Sequence, residues 1–131
     1  MFGVQCSMFI ASVAEFKSGL AGCLDFFVKS FHPFPMKHFI IEITYTATIG
    51  KIDAILSDHR AFLQTGYDQG LVLMSGPQNP RTGGIIVARA ESLEAAKQFF
   101  SQDPFQTKKA ARYRFIEFSP VKHTALVRDW V

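Results

Sequence analysis

Between Ile52 and Gly66 apolar residues recur at spacings of three and four, through Ile52, Ile55, Leu56, Leu63 and Gly66, the period of a helix with one buried stripe. Just upstream, residues 37–46 alternate instead, with Phe39, Ile41, Ile43 and Tyr45 on one face and His38, Glu42, Thr44 and Thr46 on the other, the period of a strand. A strand that hands over to a helix of about four to five turns restricts the fold to those in which a helix crosses a sheet. His59 lies in the middle of the helical stripe, so an imidazole is turned toward a core.

The rest of the chain extends the pattern. Asp53 is expected in the helix's first turn, where the positive end of the macrodipole favours a carboxylate, and Gly70 is expected as a left-handed stop. Residues 71–75 form a continuously apolar second strand. Gly76, Pro77, Asn79, Pro80, Gly83 and Gly84 then crowd into nine positions and read as a hairpin loop before a third strand over residues 85–90. Ser92 suits an N-cap, and Leu93, Ala96, Phe99 and Phe100 mark the buried side of a second helix ending near Gln102. Asp103, Pro104 and Gln106 fit the cap, first and third positions of a further short helix. Tyr113, Phe115, Ile116 and Phe118 belong to a fourth strand over residues 112–119.

The order β-α-β-β-α-β is an α+β, ferredoxin-like arrangement, with four antiparallel strands and two helices on one face. On the other face Ile40 and Ile86 are expected, joined by Ile116, and such an apolar face meets another subunit or a ligand. A homodimer is therefore expected.

At 131 residues there is room for one domain and a tail. Residues 1–35 differ from the remainder of the chain, being apolar and rich in Phe. They lack the basic start of a secretory signal, since the first positive charge is Lys17, and Glu15, Lys17 and Asp25 interrupt any membrane span. Two readings remain: a helix over residues 12–29 that docks on the domain or a partner, or upstream sequence translated in frame ahead of a natural start at Met36. The second is favoured, because the strand pattern begins directly after Met36. The domain is expected over residues 36–121, followed by a tail over residues 122–131.

The formal charge of +3 is a mild excess spread along the chain. The largest basic group, Lys108, Lys109, Arg112 and Arg114, is short and close to Glu117, so no nucleic-acid stripe is formed. Cys6 and Cys23 have no histidine at metal-ligand spacing, so neither a zinc site nor an iron–sulfur cluster is expected, and a reducing cytoplasm is the default compartment.

Chemistry centres on His59. An imidazole on an apolar stripe is either a core histidine satisfied by a carbonyl or a base with an orienting partner. Asp103 is the best partner: capping a helix engages one carboxylate oxygen and leaves the other for an imidazole. Asp58 and Arg60 flank His59 and are expected to point away from its face, so no role is given to them. Ser75 and Gly76 end a strand beside the glycine-rich loop, where they would face a polar substrate. Arg81 in that loop would either clamp a substrate carboxylate or remain a solvated loop charge. Gly83 and Gly84 lack the lysine and helix of a phosphate loop.

In order and spacing, several segments resemble the YciI-like, or YCII-related, family of dimeric α/β-barrel proteins. They are the strand after Met36, DHRAFL with His59, GYDQGLVLMSGP, TGGIIVARA, SLEAAKQFFSQDPF with Asp103, and RYRFIEF. The resemblance implies a ferredoxin-like protomer that pairs through its sheet, related in shape to muconolactone isomerases. It further implies a cofactor-free enzyme whose pocket histidine and aspartate are His59 and Asp103; elimination from chlorinated aromatic intermediates is one known direction.

The expectation is thus a lyase or isomerase in which His59 and Asp103 move a proton on a small cyclic or aromatic metabolite. The alternative is a module that binds such a metabolite without transforming it. An RNA-recognition module shares the element order but needs stacking aromatics on its third strand, which GGIIVARA lacks. A ferredoxin needs cysteines that the core does not contain.

Overall fold

The structure is a computed structural model that describes residues 34–131. The helix expected over residues 12–29 and the question of the natural start lie outside the described residues. Strand β1 (Lys37–Tyr45) leads into helix α1 (Ile49–Asp68), followed by β2 (Val72–Pro77) and β3 (Gly83–Ala90). Helix α2 (Leu93–Phe100), the short helix α3 (Pro104–Thr107) and β4 (Ala111–Phe118) complete the fold, and a 3-10 turn (Ala125–Val127) comes after them. The four strands form one antiparallel sheet in the order β2-β3-β1-β4, the ferredoxin-like arrangement. Among the described residues no helix is long and apolar enough to cross a membrane.

Local chemistry sets the element ends. Thr48 caps α1, accepting from Lys51 N–H at 3.4 Å, so the helix begins a turn earlier than the apolar stripe suggests. Asp53 consequently sits beyond the first turn, which holds no acidic residue, and the expected dipole role falls away. Gly70 stops α1 at φ +71°, a conformation that L side chains rarely adopt. Ser92 caps α2 by accepting from Ala95 N–H at 3.0 Å.

The core lies between the helices and one face of the sheet. Phe39, Ile41 and Ile43 of β1 and Ile86 and Ala88 of β3 are all buried there with Ile52, Ile55 and Leu63 of α1 and Phe100 of α2. Ile86 is therefore misplaced by the sequence reading: it pairs with Ile41 and is 1% exposed, on the helix side. Period-two alternation then puts Ile85 and Val87 on the open face. Register aligns Met74, Val87, Ile40 and Ile116 in one apolar row across all four strands of that face. Met74 is 56% and Ile116 38% exposed.

At one end of the open face the tail returns over the sheet. Trp130 meets the His38 ring edge-on, with centroids 5.2 Å apart, and lies under the Arg89 guanidinium at 5.3 Å. Arg89 donates to the Trp130 carbonyl at 2.6 Å, and the Trp130 indole donates to the Gly70 carbonyl at 3.1 Å. This covering contributes to the burial of two polar side chains on the nominally open face, His38 and Arg89.

Where β3 begins, the backbone leaves no room for a side chain. A Cβ at Gly83 would lie 1.8 Å from the Ile43 carbonyl oxygen, whereas one at Gly76 meets nothing within 4 Å. Gly83→Ala is expected to lower the free energy of unfolding by about 2–3 kcal/mol, and Gly76→Ala to change it by no more than about 0.5 kcal/mol. Urea denaturation of both variants checks the contrast.

Candidate functional site

Asp103 sits where α2 ends and α3 begins, and Pro104 at the first helical position fixes it as the cap. Its Oδ1 accepts the Phe105 backbone N–H at 3.0 Å. Gln106 does not complete a capping box; its amide donates to the Phe100 carbonyl at 3.2 Å. On α1, the spacing that buries Ile55 and Leu63 also buries His59, leaving it 7% exposed and aimed at Asp103. The His59 Nδ1–H donates to both carboxylate oxygens, at 2.8 and 2.9 Å. Residues forty-four positions apart thus meet in the core. Tyr113 of β4 adds a third donor, its hydroxyl reaching Oδ2 at 2.5 Å. Asp103 itself is 0% exposed.

This arrangement settles the tautomer. A carboxylate only accepts, so Nδ1 carries the hydrogen, and in neutral imidazole Nε2 then holds the lone pair. The Phe105 ring stacks on the imidazole with centroids 4.0 Å apart and planes 17° from parallel, which fixes the ring's orientation. Among the described residues nothing bonds Nε2, yet every sealed side-chain nitrogen or oxygen has a partner. Nε2 is therefore open to the cleft that His59 lines.

The cleft has a volume of about 360 Å³, within the range that holds a small molecule. Ile43, Leu56, Leu63, Ile86 and Phe105 make its apolar wall. Ser75, Gly76 and Arg81, the other residues singled out in the sequence, all line it. Ser75 shares a 2.6 Å hydrogen bond with the Tyr67 hydroxyl. Arg81 is bound to Asp53 of α1, and that hydrogen bond raises its guanidinium further above the ordinary value. Asp58 points away, toward Lys108 at 3.6 Å.

Two participants were missed in the sequence. Arg60 lines the cleft instead of turning from it. Asp53, Leu56, Arg60 and Leu63 recur at spacings of three, four and three, a second stripe beside the core stripe, and that periodicity was there to be read. Tyr113 carried no comparable signal, because its contact depends on strand register.

Burial, and after it the negative Asp103, push the Tyr113 hydroxyl far above its ordinary 10.0, so it remains a donor. In the unfolded chain the same hydroxyl ionises near pH 10. The unfolded state therefore gains stability as pH rises above that value while the folded state does not, and the stabilisation present below pH 10 is lost at about 1.4 kcal/mol per pH unit. Tyr113→Phe is expected to remove this slope between about pH 10 and 11.5, read from urea denaturation of variant and parent side by side.

A family model described as YCII-related domain matches residues 36–119. The matched stretch contains every residue of the cleft and stops before the tail that carries Trp130. No curated protein matches the chain.

Proposed function

The chain belongs to the YCII-related family, and on that premise we propose that it is an enzyme of the lyase or isomerase type acting on a small cyclic or aromatic metabolite. The observation that carries this reading is the pairing at His59: Nδ1 is held by both oxygens of a fully buried carboxylate while Nε2 opens on a cleft. That is the geometry of a general base with its orienting group.

In the proposed step Nε2 takes a proton from an acidic C–H of the bound molecule, and the electron pair of that bond moves into the substrate. The imidazolium so formed lies against the Asp103 carboxylate, whose negative charge offsets it. Returning the proton at a second carbon completes an isomerisation; expelling a leaving group from the adjacent carbon completes an elimination. Only a proton and an electron pair move, so the step calls for no cofactor. Tyr113 would keep the carboxylate in place as the imidazole changes charge, and the apolar wall would limit water around the reacting carbon.

The open face of the sheet supports a second element of this reading, a homodimer. Met74, Val87, Ile40 and Ile116 form an apolar row across all four strands, with Met74 56% and Ile116 38% exposed, and a second copy seated on this face would cover it. Sedimentation velocity of the full chain is expected to give twice the 14.7 kDa protomer mass, and Ile40→Glu, in the middle of the row, is expected to give the protomer. A parent protein that sediments as a monomer at micromolar concentration rejects the dimer.

The proton transfer is tested without knowing the natural substrate. Cyclic ketones, lactones and carboxylates that raise the melting temperature are incubated with protein in D2O, and loss of C–H signal is followed by proton NMR. His59→Asn keeps a donor toward Asp103 but has no Nε2, and is expected to slow exchange by about two to four orders of magnitude. Should ligands bind while parent and variant alike exchange nothing, the protein is a metabolite-binding module and the catalytic reading is wrong.

A further inference from the structure

We propose that Arg60 is the anchor for a carboxylate, which makes the ligand of this cleft a small cyclic molecule carrying one negative charge; the proposal rests on reading the cleft as the functional site. Two guanidiniums line the cleft, Arg60 from α1 and Arg81 from the loop between β2 and β3. Arg81 is already committed to Asp53, which also lines it. Arg60 has no ion pair or hydrogen bond among the described residues.

Among the described residues, His59 is paired with the Asp103 carboxylate behind it and Asp53 with Arg81, which leaves Arg60 as the one charged group of the lining without a charged partner. That balance suits a monoanion. A phosphate monoester would bring close to two charges to a lining with one unpaired cation. A guanidinium presents parallel N–H groups that match the two oxygens of a carboxylate.

The position also suits the chemistry. Arg60 follows His59 on α1 and shares a stripe with Leu56 and Leu63, so its head group and the imidazole serve one cleft from one helix. If the acidic C–H is adjacent to the carboxylate, the pair left behind when Nε2 takes the proton is delocalised onto the carboxylate oxygens. The C–H bond breaks, an N–H bond forms, and the carboxylate becomes an enediolate of two negative charges, offset by Arg60 and the imidazolium formed in the same step.

The probes are benzoate and its neutral counterpart benzamide, titrated into the full-length protein and followed by amide NMR shifts. Benzoate is expected to bind about tenfold more tightly than benzamide. Arg60→Gln is expected to abolish that preference and Arg60→Lys to keep part of it, while Lys108→Gln, a cation outside the cleft, leaves it intact. Equal binding of the two probes, no binding of benzoate at millimolar concentration, or an undiminished preference in Arg60→Gln overturns the proposal. His59→Asn is expected to retain the preference even where it abolishes proton exchange, so the anchor and the proton transfer fail separately.

Discussion

A carboxylate with no exposed surface is the constraint around which this fold closes. Asp103 is an acceptor-only group, and an ionised carboxylate removed from water is destabilising by several kcal/mol unless donors replace the solvent. Three donors do so, each from a different element: His59 from α1, Tyr113 from β4 and the Phe105 backbone from α3. The core cannot satisfy Asp103 without also fixing the crossing of α1 over the sheet and the register of β4. The same bonds that make the fold determinate hold the imidazole in one tautomer. Structural and catalytic readings of His59 are therefore not rivals, since the contact that would make it an ordinary core histidine is also the one that aims its free nitrogen at the cleft.

Periodicity made most of the secondary structure legible. The alternation before Tyr45, the stripe from Ile52 to Gly66 and the caps at Ser92 and Asp103 are local features, and local features arise from neighbouring residues. What depended on register was not legible. In GGIIVARA two isoleucines stand side by side, so alternation alone cannot say which faces the helices; pairing of Ile86 with Ile41 decides it. The bulge between Val72 and Met74 similarly hides the parity of β2 inside a continuously apolar run. At the site, His59 and Asp103 could be singled out because each was anomalous where it stood. Tyr113 was not, since a tyrosine in a strand looks like any other half-buried aromatic.

The tail illustrates a further limit. Nothing in VRDW announces a destination, yet Trp130 covers His38 and Arg89 and leaves its backbone carbonyl as the acceptor for the guanidinium. This places the polar end of the open face under a cover that the matched family region does not include. The apolar row of Met74, Val87, Ile40 and Ile116 is the next one along the face. Polar burial and apolar exposure are thus separated along a single sheet surface, with the tail dealing with the first.

The cleft itself results from which side chains the sheet presents beneath α1. On the helix side at this end, Gly84 pairs with Ile43 and Ser75 with Ile86, so hydrogen and hydroxymethyl alternate with full isoleucines. Gly84 cannot readily be filled: a Cβ there would sit 3.1 Å from the Gly76 carbonyl oxygen. A gap in an otherwise close-packed layer forfeits dispersion contacts on every surface that lines it, so such space persists only against a cost in stability. Here the gap is lined by both His59 and Arg60, the latter without an ion pair among the described residues. A purely structural histidine would need the carboxylate but not the space, and neither the space nor the unpaired charge contributes to holding α1 on the sheet. The two features that stability does not require are the two a charged small molecule would use.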